Sequence, residues 1–172
     1  MQREPEQFDP IPLLTALADA EIDFVVIGGL AAAAHGSAIP TFDVDVMYER
    51  SKDNLAKLAE FLRAVEATLR GAPPGLPFRL DARTLAAGAN FTFDTTLGKF
   101  DILADPAGAR SYDRVKSDAL SVDLDERNVL MAGIDDLIAM KVASGRPKDV
   151  AAAMELRALA DEIRRSEAER KG

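Results

Sequence analysis

The chain of 172 residues has the length of one domain, and its 48% apolar residues suffice for a hydrophobic core. Its 21 Lys and Arg against 29 Asp and Glu leave a net charge of −8, which excludes a broadly basic nucleic-acid coat but not a substrate gripped locally or through metal ions. With no cysteine and a single histidine, disulfides, thiolate metal sites, cysteine nucleophiles and multi-histidine metal centres are all excluded.

The opening MQREPEQFDP is polar and carries no secretory pattern, and no apolar run approaches the ~20 residues of a bilayer span. A soluble, cytoplasmic protein without a membrane partner is therefore expected. Leu13, Leu14, Leu17 and Ala18 recur at helical spacing and predict a helix over Ile11 to Ala20. Phe24 to Ile27 is an unbroken apolar run, the pattern of a strand covered on both faces. Gly28-Gly29 predicts a turn, and Leu30 to Ala34 a small-residue helix stopped near Gly36. After Pro40, Phe42 to Tyr48 alternates with period two and reads as a strand. Asp53 to Arg70 reads as one amphipathic helix with Leu55, Leu58, Phe61, Leu62, Val65 and Leu69 on a single side. A loop at Gly71 to Gly75 precedes a predicted hairpin, Asn90 to Thr95 with Lys99 to Leu103, and short strands follow at Leu120 to Leu124 and Val129 to Met131. From Ile134 onward the pattern is helical, broken at Gly145-Arg146-Pro147 and fraying after Ile163. The fold class is α/β: a mixed sheet flanked by helices, with a C-terminal helical segment.

The most informative stretch is Ile27-Gly28-Gly29, thirteen intervening residues, then Asp43-Val44-Asp45-Val46. On a strand, residues two apart share a face, so Asp43 and Asp45 project together while the valines point into the core. Carboxylates this close raise one another's pKa unless a positive charge lies between them, and a hard divalent cation with oxygen ligands is the economical solution. Asp101, within the apolar run Phe100-Asp101-Ile102-Leu103, is the candidate third ligand if its strand lies alongside. Glycines between a strand and a helix let backbone N–H groups approach phosphate oxygens. A triphosphate at Gly28-Gly29, with two metals joining it to Asp43, Asp45 and Asp101, is the arrangement of two-metal nucleotidyl transfer.

Apolar-Gly-Gly, a gap, Asp-apolar-Asp-apolar and a later apolar-Asp-apolar resembles the signature of the minimal nucleotidyltransferases of the DNA polymerase β superfamily. Ala34-His35-Gly36 and Thr41-Phe42-Asp43-Val44-Asp45 are similar to the abortive-infection branch, often toxins of toxin–antitoxin pairs. Asp136 to Lys141, followed by Arg146-Pro147-Lys148-Asp149, adds a further echo. The resemblance covers roughly residues 24–156 and implies a sheet of about five strands, two Mg²⁺ ions and a nucleoside triphosphate. It adds Thr41 and Lys141 to Gly28 and Gly29 as nucleotide-binding candidates and makes Asp43, Asp45 and Asp101 catalytic as well as metal-binding. It divides the chain into a nucleotidyltransferase core, 1–133, and a helical segment, 134–172, packed on that core as one structural domain. The acceptor it implies is an RNA 3′ end, tRNA included, or a protein hydroxyl, and a cognate antitoxin is a further expected partner. Two departures stand out: Ile39 where related chains commonly carry Arg, and Ala152 where many carry an acidic residue. The loss of a phosphate-binding Arg motivates an alternative, a catalytically degenerate nucleotide-binding or partner-binding module of the same fold.

Other polar residues have plainer readings. Asp123-Leu124-Asp125 repeats the Asp-x-Asp spacing without a glycine turn before it and reads as a solvated turn. His35 is expected to close its small helix against that helix's own carbonyls.

Overall fold

The structure is a computed structural model that describes residues 7–172; the first six residues of the polar opening lie outside them. Seven strands form one mixed sheet in the order β3-β4-β5-β2-β1-β7-β6. The centre is β1 (Phe24–Ile27), buried at every position, antiparallel to β2 (Val44–Tyr48) and parallel to β7 (Arg127–Met131). On its other side β2 runs parallel to β5 (Gly98–Leu103), which forms a hairpin with β4 (Asn90–Thr95). The short β3 (Thr68–Leu69) closes one edge against β4, and β6 (Leu120–Leu124) closes the other against β7. The resemblance implied about five strands; β3 and the β6–β7 hairpin account for the larger sheet.

The core lies between this sheet and two helices whose apolar faces the sequence periodicity marks. Helix α1 (Ile11–Asp19) buries Leu13, Leu14 and Leu17, and α3 (Lys52–Ala64) buries Leu55, Leu58, Phe61 and Leu62. Ser51 caps α3 through the Asn54 amide N–H, and the Asn54 side chain ties Asp23 to Glu49 through their backbone groups. That buried amide welds the start of β1 to the end of β2. Helix α2 (Gly28–Ala34) packs through Ala31 and Ala32, small enough to let it lie close on β1 and β2. The antiparallel pair α6 (Ile134–Ser144) and α7 (Pro147–Lys171) completes the fold, with α6 against α2. Among the described residues no helix is long and apolar enough to cross a membrane.

Four local expectations are corrected. The helix predicted to reach Arg70 ends at Ala64, where Glu66 takes a positive φ of 53° and the Ala67 amide returns to the Leu62 carbonyl. The β-branched Thr68 favours extended backbone, and pairing with β4 satisfies the polar groups that more helix would otherwise have used. The strand predicted from Phe42 starts at Val44; Asp43 stands on its threshold, where the Thr41 hydroxyl reaches its carbonyl and carboxylate. Two unpredicted helices, α4 (Ala82–Ala87) and α5 (Tyr112–Ser117), are six residues each, too short to show a period. Finally, the helix expected from Leu30 begins at Gly28, so the turn at Gly28-Gly29 is made as β1 passes directly into α2.

Candidate functional site

Register brings the three acidic residues together. Asp45 pairs with Ile27 on one side and with Asp101 on the other, so the parallel β2–β5 neighbours carry their carboxylates out of the same face. Val44, Val46, Phe100 and Ile102 face the core and hold both strands. Asp43 adds its carboxylate from the threshold of β2, and one oxygen from each residue lies within 4.8 Å of the others.

The electrostatics of this cluster are strained. Burial, then the charges of Asp43 and Asp101, then a hydrogen bond with Asp101 push Asp45 up to about 7, against the opposing charge of Lys141. Asp101 is also raised, by burial first, although Arg70 works against that rise. The Arg70 Nη2 stands 3.0 Å from Asp101 Oδ1 as an ion pair, but without hydrogen-bond alignment, so this buried oxygen has no hydrogen-bond partner among the described residues. The guanidinium is committed elsewhere, to the Phe93 carbonyl at 2.6 Å and the Asp94 carboxylate at 3.2 Å. An all-oxygen donor set with a buried oxygen left unbonded and a carboxylate held near neutrality fits a hard divalent cation such as Mg²⁺.

The glycines serve this cluster sterically. Gly28 turns the strand into the helix at φ +69°, and a Cβ there would stand 2.2 Å from Asp45 Oδ2. A Cβ on Gly29 would meet the Thr41 Cβ and Oγ1 at 2.8 Å. Their first visible function is thus to make room for Asp45 and Thr41, and the same gap leaves the start of α2 open to the cleft. That cleft has a volume of about 700 Å³, and all seven predicted site residues line it: Gly28, Gly29, Thr41, Asp43, Asp45, Asp101 and Lys141.

Lys141 reaches the cleft from α6, and its ammonium is 3.2 Å from Asp149 Oδ1 on α7. Asp149 is 1% exposed and also accepts from Ser144 and Arg146. Burial alone would raise its pKa; the hydrogen bonds from Arg146, Ser144 and Lys141 outweigh burial and hold it at about 2. Asp149 is therefore an anchor that aims two cations from the α6–α7 junction at the cleft. Sequence reasoning missed this role, although Lys141 and Asp149 flank the helix break that brings them together. It also missed Arg70, hidden in an apparently continuous helical period.

His35 and the second Asp-x-Asp lie outside the constellation. His35 is the C-cap of α2, but its ring bonds to the Ala132 carbonyl at 2.8 Å rather than to its own helix; only its backbone N–H returns to that helix. Asp123 lies near the end of β6 and Asp125 in the exposed β6–β7 turn, where Asp123 accepts from the Glu126 amide and residues 125 and 126 take positive φ. Ile39 lines the cleft and is 43% exposed, an apolar side chain on its wall.

No family model matches the chain, and no curated protein does. Among the solved structures similar to it are two. One is a Thermotoga maritima protein provisionally assigned as a nucleotidyltransferase, at 14% identity and a TM-score of 0.52 over 88% of this chain and 92% of that one. The other is the antibiotic-resistance factor ANT(2″)-Ia, at 13% identity and a TM-score of 0.51 over 92% of this chain and 91% of that one. The chain shares the fold of these two proteins, a mixed sheet flanked by helices.

Proposed function

We propose that the protein is a Mg²⁺-dependent nucleotidyltransferase that moves a nucleoside monophosphate from a triphosphate to a hydroxyl on an RNA 3′ end or a protein. The observation that carries this reading is the convergence of Asp43, Asp45 and Asp101 on adjacent strands, directly beside Gly28 and Gly29, in one cleft. Residues 1–133 act as the catalytic core and residues 134–172 as the helical segment that brings Lys141 to it. The toxin role, with a cognate antitoxin protein as partner in the cytoplasm, is carried from the resemblance into the same proposal.

Asp43 and Asp45 would hold both ions, and Asp101 the catalytic one. Bound there, the ions supply charge neutralisation of the triphosphate and of the transition state. The rest falls to this chain. Lys141 and the open start of α2 hold the β- and γ-phosphates, with Thr41 alongside. Asp101 orients the acceptor hydroxyl and takes up its proton. The hydroxyl oxygen bonds to the α-phosphorus in line as the α–β bridging P–O bond breaks, and pyrophosphate leaves with that electron pair toward Gly28, Gly29 and Lys141.

The specific observation favouring the alternative, a degenerate binding module, is Ile39 at the cleft wall. Asp101→Asn separates the two. In the enzyme it retains triphosphate affinity within roughly tenfold but loses on the order of a hundredfold in transfer, because it acts on the transition state. The assay follows labelled nucleotide into total tRNA and into cell-extract protein, alongside calorimetric binding with Mg²⁺ and with EDTA. Equal triphosphate affinity in both buffers overturns the two-metal reading; metal-dependent binding with no labelling by wild type selects the binding module.

A further inference from the structure

Five cations line the cleft, but three are already paired. Lys141 and Arg146 are held by Asp149, and Arg70 by Asp94 and Asp101. Lys99 on β5 and Lys148 on α7 are exposed and form no ion pair among the described residues. Asp94 lies opposite Lys99 across the β4–β5 ladder, but its carboxylate goes to Arg70. The cleft's acidic residues are likewise spoken for: the metal-type triad and the fully bonded Asp149. Among the described residues that line the cleft, no carboxylate remains to receive a cationic acceptor, whereas the ammonium groups of Lys99, from the sheet, and Lys148, from α7, are without an ion pair.

Phe42 is the third component. It is 71% exposed, the most exposed of the large apolar side chains, and lies in the cleft wall next to Asp43. An exposed aromatic in one cleft with unpaired cations is the composition with which proteins hold single-stranded nucleic acid, by stacking a base and contacting flanking phosphates. Beside Asp101, β4 presents the exposed side chains of Asn90 and Thr92, neutral groups suited to ribose hydroxyls and base edges.

Resting on the proposed transferase reading, we infer that the acceptor is the 3′ end of a single-stranded RNA rather than a protein hydroxyl. Its terminal base stacks on Phe42, Lys99 and Lys148 take backbone phosphates, and the terminal ribose hydroxyl faces Asp101. The bond changes are those above: the ribose oxygen bonds to the α-phosphorus, pyrophosphate leaves with the bridging electron pair, and the proton passes to Asp101. A net charge of −8 repels the remainder of a polyanion, so only a short 3′ segment is held, and the salt dependence is the modest one that two phosphate contacts give.

The test uses the full chain with Mg²⁺ and a non-hydrolysable triphosphate, and follows the fluorescence anisotropy of a labelled single-stranded RNA with a free 3′ end. Phe42→Ala should weaken RNA binding by about tenfold or more, the loss of one base–aromatic stack. Lys99→Gln with Lys148→Gln should flatten the plot of log affinity against log salt by about 1.4, two single-strand phosphate contacts. Both variants should bind triphosphate as wild type does, which keeps this test separate from the nucleotide reading; failure of wild type to bind triphosphate is failure of that reading itself. Triphosphate binding without RNA binding, RNA binding indifferent to all three substitutions, or labelling of protein in preference to RNA overturns the inference.

Discussion

Replacing Asp45 by Asn should stabilise the metal-free protein, and the size of the effect follows from the crowding of the triad. The folded state holds Asp45 at about 7 against an ordinary value of 3.8. Between about pH 4 and pH 7 the folded chain therefore keeps a proton that the unfolded chain has released. In that window stability falls as pH rises, by up to ~1.4 kcal/mol per unit, and above it the full cost persists. Three units set a ceiling of about 4 kcal/mol; the buried amide of Asn takes back part, leaving about 2–3 kcal/mol. For a chain of this length that is a rise in Tm of roughly 5–10 °C at pH 8 in EDTA. The advantage should shrink toward pH 4, where the folded carboxyl is neutral and the unfolded one, at its ordinary value of 3.8, has only begun to bind its proton, so little of the cost remains. Saturating Mg²⁺ should cancel it, since a ligand at a hundred times its Kd adds about 2.7 kcal/mol to wild type alone. Thermal melts of both proteins from pH 4 to 8, with Mg²⁺ and with EDTA, decide the matter. A substitution neutral within about 1 °C at pH 8 in both buffers would show three independently solvated charges and refute the reasoning.

Three further outcomes follow from the same geometry. Gly28→Ala places a Cβ 2.2 Å from Asp45 Oδ2 at φ +69°, so it should lower stability by about 1–3 kcal/mol and abolish the Mg²⁺-dependent rise in Tm; a variant that keeps that rise contradicts the steric role. Arg70→Met removes the cation 3.0 Å from Asp101 Oδ1, so it should lower Tm in EDTA yet tighten Mg²⁺ binding about tenfold by calorimetry, because a competing charge has gone. Asp149, held at about 2, contributes stability that is full above about pH 4 and lost as pH falls through about 2. Asp149→Ala should therefore cost about 2–4 kcal/mol at pH 7, a difference that melts show narrowing as pH falls below 4.

The parts of the fold legible in the sequence are those that a single element encodes. The buried run Phe24–Ile27, the β4–β5 hairpin and the part of the apolar stripe that precedes Val65 in α3 are each marked by their own local pattern, and these formed where that pattern placed them. What the sequence concealed depends on partners distant in the chain. Val65 to Arg70 continues the helical period of α3, yet β4 draws Thr68 and Leu69 into the sheet, and that exchange turns Arg70 from a helix end into the counter-ion of Asp101. Periodicity cannot report such a contest, because both outcomes satisfy the same apolar spacing. The ring of His35 likewise found a carbonyl ninety-seven residues away rather than the nearest ones.

The triad itself was legible for a reason that the helix end was not. An aspartate between Phe100 and Ile102 contradicts its local pattern, and a sequence departs from its own pattern where function or strain outweighs stability. The same logic applies to Phe42, whose ring is left in solvent at the threshold of β2 while the alternating residues beyond it are buried. Burying that ring would have been stabilising by about 2 kcal/mol on the transfer scale. The cluster of carboxylates on one side of Asp43 and the exposed ring on the other are both unfavourable to the empty protein. Both are relieved by ligands of the kind proposed, metal ions at the first and a stacked base at the second, so a cost borne by the free chain becomes selectivity for the loaded one.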